Sequence, residues 1–205
     1  EYNVILSPTK TKIGLQQVEW FGYILGDGQL WASQKRLQAI DAIDFPTTAT
    51  AMKKFIGLTV FVSPFVDNYA QLSAPLTDLL SHKTDWRQVA KEQYKYMGAF
   101  DNLKEGIRKA TATHLPDVNL EWVLRTDASD IACGAVLFQI NPHNKISVYE
   151  PIAFISHKFS KAATRWSVLE KELYGVIFAI KRLDYYIRGK PMIVETDHSN
   201  IMYLE

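Results

Sequence analysis

Residues 124–139 read LRTDASDIACGAVLFQ. The stretch reads as the two strands of a hairpin, 120–127 and 132–140, with an acid, Asp127, set in the first strand. Strands disfavour Asp, and a buried carboxylate without a partner is costly, so Asp127 asks for a reason. A second acid, Asp197, follows the apolar run MIVET in the same way. If the two strands are neighbours, both carboxylates project into one small volume. Like charges that close raise each other's pKa unless something positive lies between them. A divalent cation does this, and carboxylate oxygens suit hard Mg²⁺. Two Mg²⁺ about 4 Å apart clamp the attacking and leaving oxygens of a phosphodiester. The chemistry suggested is metal-assisted phosphodiester hydrolysis. Taken singly, Asp127 or Asp197 fits a structural role at a strand end equally well, and Asp130 reads as a turn residue only.

A helix over 167–184 offers two more acids, Glu170 and Glu172. Its expected buried stripe is Leu169, Leu173, Val176, Ile180 and Leu183. Both acids flank that stripe by similar angles, so periodicity does not choose between them. Ser167 and Glu170 fit a capping box, which gives Glu170 a structural task at the helix start and favours Glu172 as the carboxylate for a site.

Around these residues the second half reads as strands 120–127, 132–140 and 151–156, helix 167–184, strand 191–196 and a helix from about 199. This order indicates a mixed α/β domain. The first half differs. Residues 1–31 look β-like: Val18–Leu25 is rich in aromatic and β-branched residues, and Gly26-Asp27-Gly28 turns the chain back through Gln29-Leu30-Trp31. This predicts a hairpin with Trp20 near Trp31. Residues 33–110 look helical. Ser33 caps a first helix, and Phe45-Pro46 stops it. Thr47 and Thr48 offer the next cap, and Pro64 ends that run. A third helix spans Tyr69–Leu80 with an interruption near Pro75, and the longest covers 88–109. The character changes near residue 115.

The bulk numbers bound the answer. The chain has 205 residues, 47% hydrophobic and 22% charged, with one cysteine, Cys133. No internal disulfide is possible, which predicts an intracellular, reducing compartment. No apolar run approaches the ~20 residues of a membrane span. Residues 1–115 carry 13 Lys and Arg against 11 Asp and Glu, and the rest 10 against 11. That is no electrostatic footprint for nucleic acid. The chain starts at Glu1 and stops at Glu205 inside an expected helix, so it reads as a piece of a longer polypeptide.

One ordered series carries a resemblance over nearly the whole chain: VEWFGYILGDGQLW, FPTTATAMKKFIGLTVFVSPFV, LSAPLTDLL, LRTDASDIACGAVLFQ, PIAFISHKFS, RWSVLEKELYGVIFAIKRLDYYIRGK and VETDHSNIMYL. It resembles the reverse transcriptase–ribonuclease H segment of gypsy-type LTR retrotransposon and retroviral polyproteins. The resemblance implies a primer-grip-like hairpin at 1–32, with Trp20, Gly22 and Tyr23 at nucleic acid. It implies a helical thumb or connection at 33–115 and a C-terminally truncated ribonuclease H-like fold at 116–205. In that fold a mixed sheet is flanked by helices, and its first and fourth strands are neighbours.

By the same resemblance, Asp127, Glu172 and Asp197 are catalytic and hold two Mg²⁺, with Mn²⁺ a possible substitute. Asp127 bridges both ions, and RNA in an RNA–DNA hybrid is cut. His198 receives no catalytic role. The polymerase aspartates lie upstream of this stretch in the family and the fourth carboxylate downstream. The partners implied are hybrid or primer–template and the remainder of a polyprotein. Two other readings stand beside the enzyme: a domesticated fragment serving a host assembly as a non-catalytic subunit, and a nucleic-acid-binding module without catalysis.

Overall fold

The computed structural model describes residue 11 and residues 13–196. Asp197, His198 and the helix expected from about 199 lie outside the described residues. Three short strands come first: β1 (Gln17–Trp20), β2 (Tyr23–Gly26) and β3 (Gln29–Ala32), paired antiparallel in order. Two-residue turns join them. Phe21 and Gly22 have φ of 51° and 82°, Asp27 and Gly28 of 50° and 72°. Positive φ at both central positions is the hairpin turn whose twist matches the strands.

The expected single hairpin is therefore a meander, and the aromatic run 18–25 is two strands folded at Phe21-Gly22. Trp20 and Trp31 are not neighbours either. Trp20 stands opposite Tyr23 and Trp31 opposite Ile24, on strands that β2 separates. The ring that meets Trp20 is Phe21, at 5.1 Å between centroids. A fourth strand, β4 (Thr113–His114), returns after the helices and pairs with β3.

Between them lie α1 (Gln34–Asp41), α2 (Ala49–Val62), a 3₁₀ turn (Ser63–Phe65), α3 (Tyr69–Asp78), α4 (Trp86–Lys91) and α5 (Tyr94–Arg108). Thr48 caps α2 by accepting from the Ala51 N–H, and Asp85 caps α4. Ser33 holds the cap position of α1 but makes no side-chain cap bond. α3 runs through Pro75 without the expected interruption; Ala74 and Leu76 beside it are buried, and packing holds the turn. The expected helix 88–109 is two helices, because α4 closes at Glu92, whose N–H reaches Gln88 O. Ile40, Met52, Phe55, Leu76 and Leu103 fill the core of this unit.

The second unit holds β5 (Glu121–Ala128), β6 (Ala132–Ile140), β7 (Tyr149–Lys158), α6 (Val168–Ile187) and β8 (Ile193–Thr196). Its sheet order is β7-β6-β5-β8, antiparallel except for the parallel β5–β8 pair. Pro151 is tolerated because β7 is an edge strand. The longest helix is α6, and its buried face differs from the expected one. Glu172, Gly175, Ala179, Leu183 and Ile187 face the sheet, while Ile180 is exposed. Small residues decide this. A side chain at Gly175 would meet the Cβ of Cys133 at 3.4 Å, so helix and sheet approach closely along the Gly–Ala side. The helix is turned by one position from the expected stripe, and Glu172 enters the interface.

The two units touch through α3. The Ala70 N–H donates to Ser156 Oγ at 2.9 Å. Lys158 Nζ reaches Ala74 O, Thr77 Oγ1 and, at 2.7 Å, the Asp78 carboxylate at the end of α3.

Candidate functional site

Asp127 stands opposite Gly134. Opposed residues in an antiparallel pair project to the same face. Cys133, the next residue along β6, projects to α6, so alternation places Asp127 on the face away from α6. Its side chain is exposed there. Arg125 shares that face and pairs with Glu195 of β8 at 2.8 Å. An open depression at this end of the sheet is lined by Arg125, Thr126, Asp127, Glu195 and Thr196. The parallel β5–β8 register reaches Thr126 opposite Thr196, and the next residue of the chain, Asp197, lies outside the described residues.

Glu172 approaches the same end from α6 and is 3% exposed. Burial pushes the Cys133 thiol up to about 11; backbone N–H groups offset part of this and the charge of Glu172 adds to it. Glu172 therefore acts on the start of β6, where Cys133 stands opposite Ala128, the residue after Asp127. Glu170 is occupied elsewhere. Ser167 Oγ accepts from the Glu170 N–H, and the Glu170 carboxylate accepts from the Ser167 N–H at 2.7 Å. Those bonds hold the Glu170 carboxyl below its ordinary range.

Asp130 does not shape the turn. Ser129 does, accepting from the Ala132 N–H at 3.2 Å while its own N–H donates to Ala132 O. Asp130 instead pairs with the buried Lys171 ammonium at 2.9 Å, which holds its carboxyl below the usual carboxylate range.

A carboxylate that no motif pointed to, Asp67, reaches this end from the segment before α3. Its carboxyl is pushed up by burial, drawn down in part by the Asn68 N–H, and pushed up further by the charge of Asp127. Nothing in its local sequence marks it, because its neighbour comes from a strand distant along the chain. Asp127, Glu172 and Asp67 offer oxygen donors only, the set that suits a hard divalent cation. The like charges of Asp67 and Asp127 also fit a place where positive charge is needed. Among the described residues no three His, Cys, Asp or Glu side chains gather into a metal cluster.

The hairpin residues separate by role. Trp20 is 63% exposed at the β1–β2 turn. Gly22 serves the turn itself. Tyr23 stacks on Phe61 at 4.2 Å and donates its hydroxyl to Phe61 O, so it braces the hairpin from within. Among the described residues no helix is long and apolar enough to cross a membrane.

Residues 117–205 match the family described as the RNase H-like domain found in reverse transcriptase. Among curated relatives, the chain is 30% identical over 202 residues to the retrovirus-related Pol polyprotein from transposon 297 of Drosophila melanogaster, covering 98% of this chain and 18% of that one. It is 27% identical over 202 residues to the transposon Tf2-3 polyprotein of Schizosaccharomyces pombe, covering 98% and 15%. The chain thus spans less than a fifth of the curated relatives it matches. Among solved structures, the foamy viral protease-reverse transcriptase in complex with dsDNA superposes with a TM-score of 0.74 at 19% identity, over 92% of this chain and 38% of that one. The same viral protein in complex with RNA/DNA hybrid gives 0.71 at 20%, over 89% and 24%. At these identities the likeness shows the fold. The relatives favour a polyprotein segment over a domesticated non-catalytic fragment. Residues 117–205 thus match the RNase H-like domain found in reverse transcriptase, and over nearly its whole length the chain is similar to retroelement Pol polyproteins.

Proposed function

We propose that this chain contributes the ribonuclease H activity of a retroelement reverse transcriptase, hydrolysing RNA in RNA–DNA hybrids. The observation that supports the reading is the match of residues 117–205 to the RNase H-like domain found in reverse transcriptase, together with Asp127 near the end of β5 and Glu172 on α6 near the start of β6. In the parallel register, β8 ends at Thr196, opposite Thr126, one residue before Asp197 in sequence. In this reading Asp127, Glu172 and Asp197 hold the metal. When bound, two Mg²⁺ activate a water and neutralise charge on the phosphate under attack.

The chain's own residues prepare that chemistry. The Arg125–Glu195 pair ties β5 to β8 beside the site. The close α6–sheet contact at Gly175 fixes Glu172 at a constant depth. The hybrid is chosen by groove shape and 2′-hydroxyls rather than by base sequence. Residues 1–32 act as a primer-grip-like hairpin with Trp20 toward nucleic acid, and 33–115 as a thumb or connection. The partners are hybrid or primer–template and the rest of the polyprotein, inside the cell or a retroelement particle.

The test incubates the complete parent polyprotein, and its Asp127→Asn variant, with labelled hybrid and Mg²⁺. Cleavage by the parent and its loss in the variant are expected; equal cleavage by both refutes the reading.

A further inference from the structure

The guanidinium of Arg36 is held with unusual definition for a surface cation. Its Cζ lies 4.2 Å over the Phe61 ring. Tyr23 stacks on that same ring, also at 4.2 Å and within 9° of parallel, so Phe61 is sandwiched between cation and phenol. The guanidinium edge lies against the β1–β2 turn: a Cβ at Gly22 would come 3.0 Å from Arg36 Nη2 and 3.3 Å from Nε. Gly22 is therefore required twice, for its φ of 82° and for the space the guanidinium occupies.

The Arg36 backbone N–H donates to Ser33 O at 2.9 Å, but among the described residues its guanidinium makes no hydrogen bond and no ion pair. The other long cations of this unit that pack on an aromatic ring do have polar partners: Lys104 donates to Asp41 O, and Lys95 pairs with Glu92. Arg36 is half-buried, positioned by ring and turn, with no polar partner for its N–H fork among the described residues. Beside it the turn presents two exposed rings, Trp20 at 63% and Phe21 at 76%. A planar fork of donors matches a phosphate oxygen pair, and exposed aromatic faces suit bases or sugars.

We propose that Arg36 is a phosphate-binding residue, holding a phosphodiester of the nucleic-acid strand that passes the Trp20–Phe21 turn. This rests on the reading that the chain handles RNA–DNA hybrid, and it adds a contact remote from the carboxylates. Packing on Phe61 fixes where the charge stands, so the strand meets a preformed site. Gly22 keeps the turn low enough for a backbone phosphate to reach it.

The test uses the full chain in EDTA, so that cleavage plays no part. Binding of a labelled hybrid is followed across a salt series for wild type, Arg36→Gln and Arg36→Lys. Arg36→Gln is expected to weaken binding about tenfold at low salt and to lower the slope of log K against log salt by about one; Arg36→Lys keeps the slope. A second measurement needs no variant: phenylglyoxal modifies Arg36 in the free chain, and bound hybrid protects it, read by peptide mass. An unchanged slope in Arg36→Gln overturns the proposal, as does equal modification with and without hybrid. Equal protection by polyglutamate overturns the assignment to phosphodiester. If the wild-type chain binds no hybrid even at low salt, the hybrid reading itself falls. If it binds and Arg36 stays reactive, only the present inference falls.

Discussion

The carboxamide oxygen of Asn68 occupies the space where a side chain at Gly134 would begin. Asn68 sits in the left-handed region, with φ of 50°, immediately before α3. Gly134 is the strand partner of Asp127. One short contact thus joins the helical unit to the strand pair that presents the candidate acid. A methyl at 134 has to displace the carboxamide, and overpacking of this kind costs about 1–3 kcal/mol. Gly134→Ala is expected to destabilise the chain by that order in urea unfolding. Asn68→Gly, which suits the left-handed backbone, removes the obstacle. In that background Gly134→Ala is expected to become neutral or slightly stabilising; an undiminished cost there would show that the contact is not the cause.

Asp67 carries a prediction with a definite sign. Its folded-state carboxyl is raised by burial and by Asp127, so the folded chain holds that proton more tightly than the unfolded chain. Ionised Asp67 then opposes folding, and the penalty is present at pH values above the folded value. It fades as pH falls through that value and is gone below the unfolded one. Asp67→Asn is expected to melt higher than wild type at neutral pH in EDTA, with the difference closing in the acid range. The Asn side chain still accepts from the Asn68 N–H, so that bond is kept. A gap that stays constant with pH would locate the effect in packing rather than in charge.

Cys133 gives a probe of the α6–sheet interface. Its thiol is buried and pushed up to about 11, and the thiolate is the reactive form. Ionisation alone predicts a reaction with a disulfide reagent near pH 8 roughly a few hundredfold slower than for an ordinary thiol. Absorbance on mixing with such a reagent should show slow labelling in the folded chain and fast labelling in denaturant. Fast labelling of the folded chain would mean that α6 lifts readily from the sheet.

Much of this arrangement is legible in the residues, and its failures have physical causes. The β5–β6 hairpin is readable because apolar strands flank a polar turn. Its two acids separate less readily: Asp130 sits where turn residues sit, yet its charge answers Lys171, which only the helix packing brings near. Phe21-Gly22 hides as a turn because an aromatic residue at positive φ is uncommon, whereas Asp27-Gly28 declares itself. The face of α6 misleads because Leu, Val and Ile mark a stripe by hydrophobicity, while the approach to the sheet is set by Gly175 and Ala179, whose merit is small size. Asp67 is invisible for a different reason, since its partner is supplied by the docking of two units and no local pattern encodes that.

The rotation of α6 leads to a contrast between its two acids. Glu170 and Glu172 differ by two positions on one helix, yet Glu170 closes the capping box and Glu172 faces the sheet. Glu170→Ala removes the bond to the Ser167 N–H and should lower stability while leaving hybrid cleavage by the parent polyprotein largely intact. Loss of a cap of this kind is mild, and α6 retains its tertiary packing. Glu172→Gln keeps the shape and removes the charge, so the fold is expected to persist, with the Cys133 thiol eased down because one of the causes raising it has gone. Cleavage is expected to fall by orders of magnitude. Melting temperature, thiol titration and hybrid cleavage measured on both variants separate the roles. If Glu172→Gln cleaves like the parent and Glu170→Ala does not, the assignment of the two acids is reversed, and the buried face of α6 serves packing alone.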